Sequence, residues 1–382
     1  MKKSFAEILE QAEKDLERRM AEKVPSWSGV GDLEYPSSIN VQQCSSERTA
    51  LYKAALSQKI CPGGKVADLT GGLGVDSWAF AKSGASEVLY NEMNEDLCAS
   101  VRRNFEALGL GNVTFRCAQV QSGAVEALLG GFKPDIIFLD PARRSSSGRK
   151  VFLLEDCSPD ITVLRDELLS LCPEVLVKVS PMADISQLRS RLGANLREVH
   201  VVGSGGECKE LLLRLRRECG ECVRIVEGME FTSEQEALAR PVLHPGPEAL
   251  RQAQFLLEPS ATILKAGCFN LLCPSLGITK IGRSTHLYTA PAPFRTDASD
   301  SRIVRTFRIR EIREFGGREI KEMGKEYPRC EVTARNLPLS SDELRKKMGA
   351  TSGGSVHIFA FTADFSGSES EKLIAVTEKV VP

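Results

Sequence analysis

The pattern of apolar and polar positions changes character along the 382 residues. Residues 1 to 22 set apolar positions among charges at helical spacing, which predicts an amphipathic helix. A linker bearing Pro25, Gly29, Gly31 and Pro36 follows, then a second helical stretch from about Ser46 to Gln58. From Lys65 the pattern becomes strand, glycine turn and helix: KVADLT, GGLGVD, SWAFAKSGA. It repeats as EVLYNE before a helix at about 95 to 108, as VTFRCA before a helix near 122 to 130, and as DIIFLD before a long Arg- and Ser-bearing loop. A helix at about 159 to 171 and the strand VLVKVS complete five readable units. Strands alternating with helices at this spacing predict right-handed βαβ units and a parallel sheet covered on both faces.

After the fifth unit, REVHVVGS and KELLLRLRR are separated by a Gly-Gly turn that suits a closing antiparallel hairpin. ARPVLHPGPEAL at 239 to 250 reads as a domain break. Beyond it, residues 255 to 300 are mixed, and residues 303 to 380 alternate strand-like stretches (IVRTFRIREI, CEVTARN, SVHIFAFTA) with one helix at about 341 to 348. The expected organisation is a helical segment at 1–58, an α/β domain at 59–250 and two small α+β modules at 251–302 and 303–382.

Composition adds three limits. A hydrophobic share of 42% and a charged share of 26% are those of an ordinary globular chain, and 382 residues exceed what one core usually serves. No apolar run approaches the roughly 18 residues that cross a bilayer, and the amphipathic start is not a signal peptide, so a cytoplasmic protein without a membrane partner is expected. The twelve cysteines are scattered; Cys219 and Cys222 form half of a possible zinc site that nothing completes, and the four histidines lack ligand spacing, so no metal is expected. Between Arg302 and Lys347 stand 13 Lys/Arg and 8 Asp/Glu, a balance of +5 in a chain of net charge −1, which hints at a polyanion partner for the C-terminal module.

Three segments carry candidate chemistry. In VADLTGGLGVDSWAFA (66–81) an apolar strand ends in Asp68, meets Gly71, Gly72 and Gly74, and opens a helix, so the backbone can pass close beneath a ligand; a plain strand-to-helix turn has the same pattern. Glu92, at the end of the second strand, stands where nucleoside-binding sheets place the carboxylate that accepts from both ribose hydroxyls. GGLG is not the dinucleotide spacing GxGxxG, and a carboxylate at Asp68 would repel pyrophosphate while suiting a cofactor with an ammonium-bearing amino-acid head. DIIFLDPARR (135–144) places Asp140 and Pro141 at the carboxyl edge, where Asp140 can orient an acceptor amine towards an activated methyl group. Arg143 and Arg144, with Arg149 and Lys150, are candidate phosphate or base contacts, and Lys178 lines the same edge. Ser180 and Pro181 stand where uracil-C5 enzymes with a DPAR motif carry a nucleophilic Cys, which disfavours a covalent mechanism.

The chain resembles the bacterial class I methyltransferases that carry a small ferredoxin-like module and a C-terminal THUMP-like domain. The resemblance rests on QQCSSERTALYKA (42–54), DLTGGLGVDS (68–77), DPARR (140–144), VKVSPMADI (177–185), GECKELL (206–212), LEPSATILKAGCFN and STHLYTA (257–290), and VTARNLPLS with ELRKK (332–347). It implies a Rossmann-like fold with a mostly parallel seven-stranded sheet. It also implies S-adenosylmethionine bound along Asp68, Thr70, Gly71, Gly72, Gly74, Asp76 and Glu92, with Ser45, Ser46 and Glu47 closing over its methionine end. THUMP domains elsewhere deliver RNA, so methylation of a base nitrogen in tRNA or rRNA is the first expectation. Ala142 and Arg143 stand where amino-methylating enzymes usually carry a stacking aromatic, so a protein or small-molecule acceptor remains open, as does a cofactor-binding module without catalysis.

Overall fold

The computed structural model describes residues 5–143, 153–218, 220–294, 303–367 and 369–380. They form two compact units, residues 1–204 with 209–224, and residues 205–208 with 225–382.

The first unit is built from the predicted alternation. Strands β1 (Val66–Asp68), β2 (Val88–Asn91), β3 (Val113–Arg116), β4 (Ile136–Leu139) and β7 (Glu174–Val179) are parallel. Their apolar runs are continuous because helices cover both faces: every residue of β1, β2 and β4 is buried. The ribbon β5 (Ala142–Arg143) and β6 (Cys157–Ser158) forms a small separate pair. β8 (Leu196–Ser204) and β9 (Glu207–Leu215) form the hairpin, and β9 runs antiparallel to β7. With β10 (Val223–Val226) and β11 (Met229–Thr232) the order is β11-β10-β8-β9-β7-β4-β1-β2-β3. The sheet is therefore mixed and nine-stranded, not seven-stranded. The two additional strands, β10 and β11, are short and are not among the elements expected from the sequence, and β11 lies in the second compact unit.

The N-terminal segment belongs to this core. Helix α1 (Phe5–Lys23), the short α2 (Ser38–Gln43) and α3 (Glu47–Ile60) contribute Met20, Val41, Ala50 and Ala54, and Val24 directly after α1 joins them, in the same buried cluster as Val66, Tyr90 and Phe138. Trp27 meets Trp78 edge-on with ring centroids 6.0 Å apart. Ser46 caps α3 by accepting from the Thr49 N–H, and Glu47 holds the Ser26 amide and hydroxyl. The helices α4 (Val75–Lys82), α5 (Glu95–Ala107), α6 (Val125–Leu129) and α7 (Ile161–Leu171) lie between the strands in sequence as predicted, and α8 (Ile185–Leu192), not among the expected elements, precedes β8.

In the second unit β12 (Phe255–Pro259), β13 (Thr279–Lys280), β14 (Tyr288–Ala290), β15 (Val304–Glu314), β16 (Glu331–Arg335), β17 (Val356–Asp364) and β18 (Ser370–Lys379) make one sheet, ordered β13-β14-β12-β15-β18-β17-β16. Within residues 303–380 two elements are not among those expected from the sequence, the helix Gly317–Glu326 and the final strand β18. No described helix is long and apolar enough to cross a membrane, and no group of three or more His, Cys, Asp or Glu among the described residues could hold a metal ion.

Candidate active site

The loops leaving the carboxyl ends of β1, β2, β3 and β4 border a cleft of about 580 Å³, within the range of small-molecule sites. Asn40, Gln43, Cys44 and Ser45 of the N-terminal segment close one side of it.

The glycine turn forms its floor, but its three glycines are needed for different reasons. A Cβ on Gly71 would lie 2.2 Å from the Tyr90 ring, and one on Gly74 would lie 2.8 Å from Phe105 and Val101. Packing against β2 and α5, not ligand approach, demands these two. Gly72 has φ of +52° with open space where a Cβ would stand, so its backbone conformation and the free volume above it make it the residue over which a ligand can lie. Gly74 does not line the cleft, whereas Thr70, Gly71 and Gly72 do.

Glu92 borders the cleft with both oxygens oriented by backbone donors, the Gly72 N–H at 3.1 Å and the Asn94 N–H at 2.9 Å. Each carboxylate oxygen keeps a lone pair for a further donor, as a ribose diol requires. Asn91, overlooked in the sequence, sets this geometry. Its side-chain amide donates to the carbonyls of Leu69 and Ala118 and its oxygen accepts from the Ala118 N–H, joining the loops after β1, β2 and β3.

Asp68 departs from expectation. It is fully buried, does not line the cleft, and accepts from the Ser77 hydroxyl at 2.6 Å and the Thr70 amide at 3.2 Å. Burial pushes its pKa up to about 8. A side chain pointing inward from the last residue of a buried strand braces the turn from beneath and cannot meet a ligand above it. Asp76, on the first turn of α4, is the carboxylate that reaches the cleft, accepting from the Ser45 hydroxyl at 2.8 Å. Ser46 faces α3 as its cap, so of the two serines only Ser45 lines the cleft.

On the acceptor side, the Asp140 N–H donates to Thr70 Oγ1 at 2.6 Å, fixing the loop after β4 to the glycine turn. The Lys178 ammonium donates to Asp140 Oδ2 at 2.6 Å. Burial alone would lower the Lys178 pKa, but the carboxylates of Asp140, Asp76 and Glu210 together hold it above the ordinary lysine value. Arg143 is exposed at the rim on β5, opposite Cys157 of β6. Pro141 is buried behind the cleft lining. Arg144, Arg149 and Lys150 lie outside the described residues.

The parallel core, the antiparallel β9 and the cleft at the carboxyl edge define a class I methyltransferase-like α/β protein. A family of ferredoxin-like domains matches residues 255–295, and a THUMP domain-like family matches residues 304–379. A protein of Porphyromonas gingivalis W83, described as a candidate methyltransferase, is 31% identical with a TM-score of 0.79, over 96% of this chain and 89% of that one. The chain belongs to this bacterial family of class I methyltransferases with a ferredoxin-like module and a C-terminal THUMP-like domain. A Pyrococcus horikoshii protein described as a candidate RNA methyltransferase matches at 15% identity and a TM-score of 0.36, over 53% of this chain and 100% of that one. Comparison with curated proteins gives no match.

Proposed function

We propose that the protein is an S-adenosylmethionine-dependent methyltransferase acting on a base nitrogen of RNA, tRNA or rRNA. The observation that carries this reading is that Glu92 and Asp140 line one cleft, the first with lone pairs for a ribose diol and the second at the acceptor edge. The donor set suits the cofactor. Gly72 leaves open space for it, and Asp76 Oδ1 is buried without a hydrogen-bond partner. When bound, the cofactor supplies a methyl group already activated on a sulfonium. The protein's part is then alignment and charge.

Asp140 Oδ2 is committed to Lys178, leaving Oδ1 to accept an acceptor N–H. Lys178 offsets the Asp140 charge, which favours an uncharged nucleobase nitrogen over the ammonium of a protein lysine. Arg143 at the rim and the lysines of the THUMP-like domain are the proposed phosphate contacts. One observation favours a second reading, a protein or small-molecule acceptor: no aromatic side chain lines the described cleft to stack on a flipped base. The deciding experiment incubates the purified protein and methyl-labelled cofactor with total RNA from cells lacking the gene, followed by mass spectrometry of nucleosides. A single newly labelled base supports the RNA reading; label entering only protein or metabolites replaces it with the second.

A further inference from the structure

Lys53, from the middle of α3, is fully buried. A buried ammonium costs several kcal/mol unless it is paired and hydrogen-bonded, so its partners show what the fold retains it for. It donates to both oxygens of Glu210, at 2.9 and 3.1 Å, across a separation of 157 residues, and to Ser45 Oγ at 3.1 Å. Its second ionic neighbour is Asp76 Oδ1, at 3.1 Å. Three of the segments that carry the family resemblance, QQCSSERTALYKA, DLTGGLGVDS and GECKELL, thus meet at one buried cluster beside the cleft.

Asp76 is clamped at Oδ2 by Ser45, while Oδ1 faces Lys53 without hydrogen-bond geometry and has no other partner. Oδ1 is thus paired by charge with Lys53 and accepts no hydrogen bond, on a residue that lines the cleft. With Lys178 the cluster holds two cations, Lys53 and Lys178, and three carboxylates, Asp76, Glu210 and Asp140.

We propose that Asp76 is the carboxylate that receives the ammonium of the cofactor's amino-acid head, and that Lys53, Glu210 and Ser45 are the positioning residues that hold it there. This rests on the cofactor reading above and assigns its amino-acid end. The role given to Asp68 by sequence passes to Asp76. The N-terminal helical segment, which supplies Ser45 and Lys53, becomes part of the cofactor site.

The test is calorimetry on the full-length chain with two ligands, S-adenosylhomocysteine and 5′-methylthioadenosine, which share the adenosine and thioether but differ in the amino-acid head. In the wild type the first is expected to bind at least tenfold tighter. Asp76→Asn and Lys53→Met are expected to remove most of that preference while changing methylthioadenosine affinity less than about twofold, whereas a purely structural role would weaken both ligands alike. Should Lys53→Met fail to fold, Glu210→Gln and Ser45→Ala carry the same comparison. A preserved preference in the folded variants overturns the inference and leaves the cofactor reading intact. A wild type that binds neither ligand overturns that reading itself.

Discussion

The Lys178 ammonium lies 2.6 Å from Asp140 Oδ2, joining the ends of two neighbouring parallel strands across 38 residues of sequence. The side chains of both are only partly exposed, 16% for Lys178 and 33% for Asp140. Removing one partner therefore has two consequences, one for catalysis and one for stability.

Asp140→Ala should lower turnover by about a hundredfold or more while leaving cofactor affinity nearly unchanged, because the lost interaction is with the acceptor in the transition state. It should also destabilise the fold by about 1 to 3 kcal/mol, since Lys178 is left without its hydrogen-bonded carboxylate. The double variant Asp140→Ala/Lys178→Met should recover part of that stability and none of the activity. Single-turnover assays and denaturant titration together check both halves; stability that does not recover in the double variant would separate Lys178 from Asp140.

Glu92→Ala should weaken S-adenosylhomocysteine binding by about 1 to 3 kcal/mol, as two ribose hydroxyls lose a charged acceptor. Adenosine, which shares the ribose, should lose a similar amount. The Gly72 and Asn94 amides also lose their acceptor, so the loss should be measured in a variant whose melting transition remains cooperative.

Asp68 predicts a pH dependence of stability. Its folded pKa near 8 exceeds the ordinary carboxylate value near 4, so between these values the native state holds a proton that the unfolded chain has released. Stability should therefore fall as pH rises from about 4 to about 8, and this contribution should level off above 8. Asp68→Asn copies the protonated acid, accepting from the Thr70 amide and donating to Ser77. It should flatten that slope in urea titrations across the range, and an unchanged slope would assign the dependence elsewhere.

In the C-terminal module most arginines are already paired: Arg305 and Arg335 with Glu258, Arg310 with Glu378, Arg313 with Glu311 and Glu326. Lys346 and Lys347 are exposed and make no ion pair among the described residues. The double reversal Lys346→Glu/Lys347→Glu should thus lower RNA affinity and reduce its dependence on salt by about two charges, with cofactor binding unchanged. Arg310→Ala should matter less. RNA binding measured from 50 to 200 mM salt checks this; an unaltered slope would move capture away from this helix. Cutting the chain between the ferredoxin-like and THUMP-like segments is a poor alternative, because β12 pairs with β15 over five residues of one sheet.

The sequence by itself determined what depends on local order. The alternation of apolar strands with helices set the parallel units, and a strand must end where Asp68, Glu92 and Asp140 stand. The carboxyl edge, where such folds bind ligands, then gathers the turns that follow, which is why the glycine turn, Glu92 and Asp140 were legible together. The tertiary structure decided which way each side chain points and what it meets. Asp68 turns beneath the sheet edge and Asp76 above it, a difference set by the last residue of a strand facing inward and a first-turn helix residue facing out. Gly71 and Gly74 are needed by Tyr90, Val101 and Phe105, neighbours that no local pattern places there. Lys53 left a trace in sequence, since Ala50, Lys53, Ala54 and Ser57 form the buried stripe of α3. Its meaning required Glu210 from β9, because only folding brings a charge on a helix against a charge on a distant strand and removes both from water.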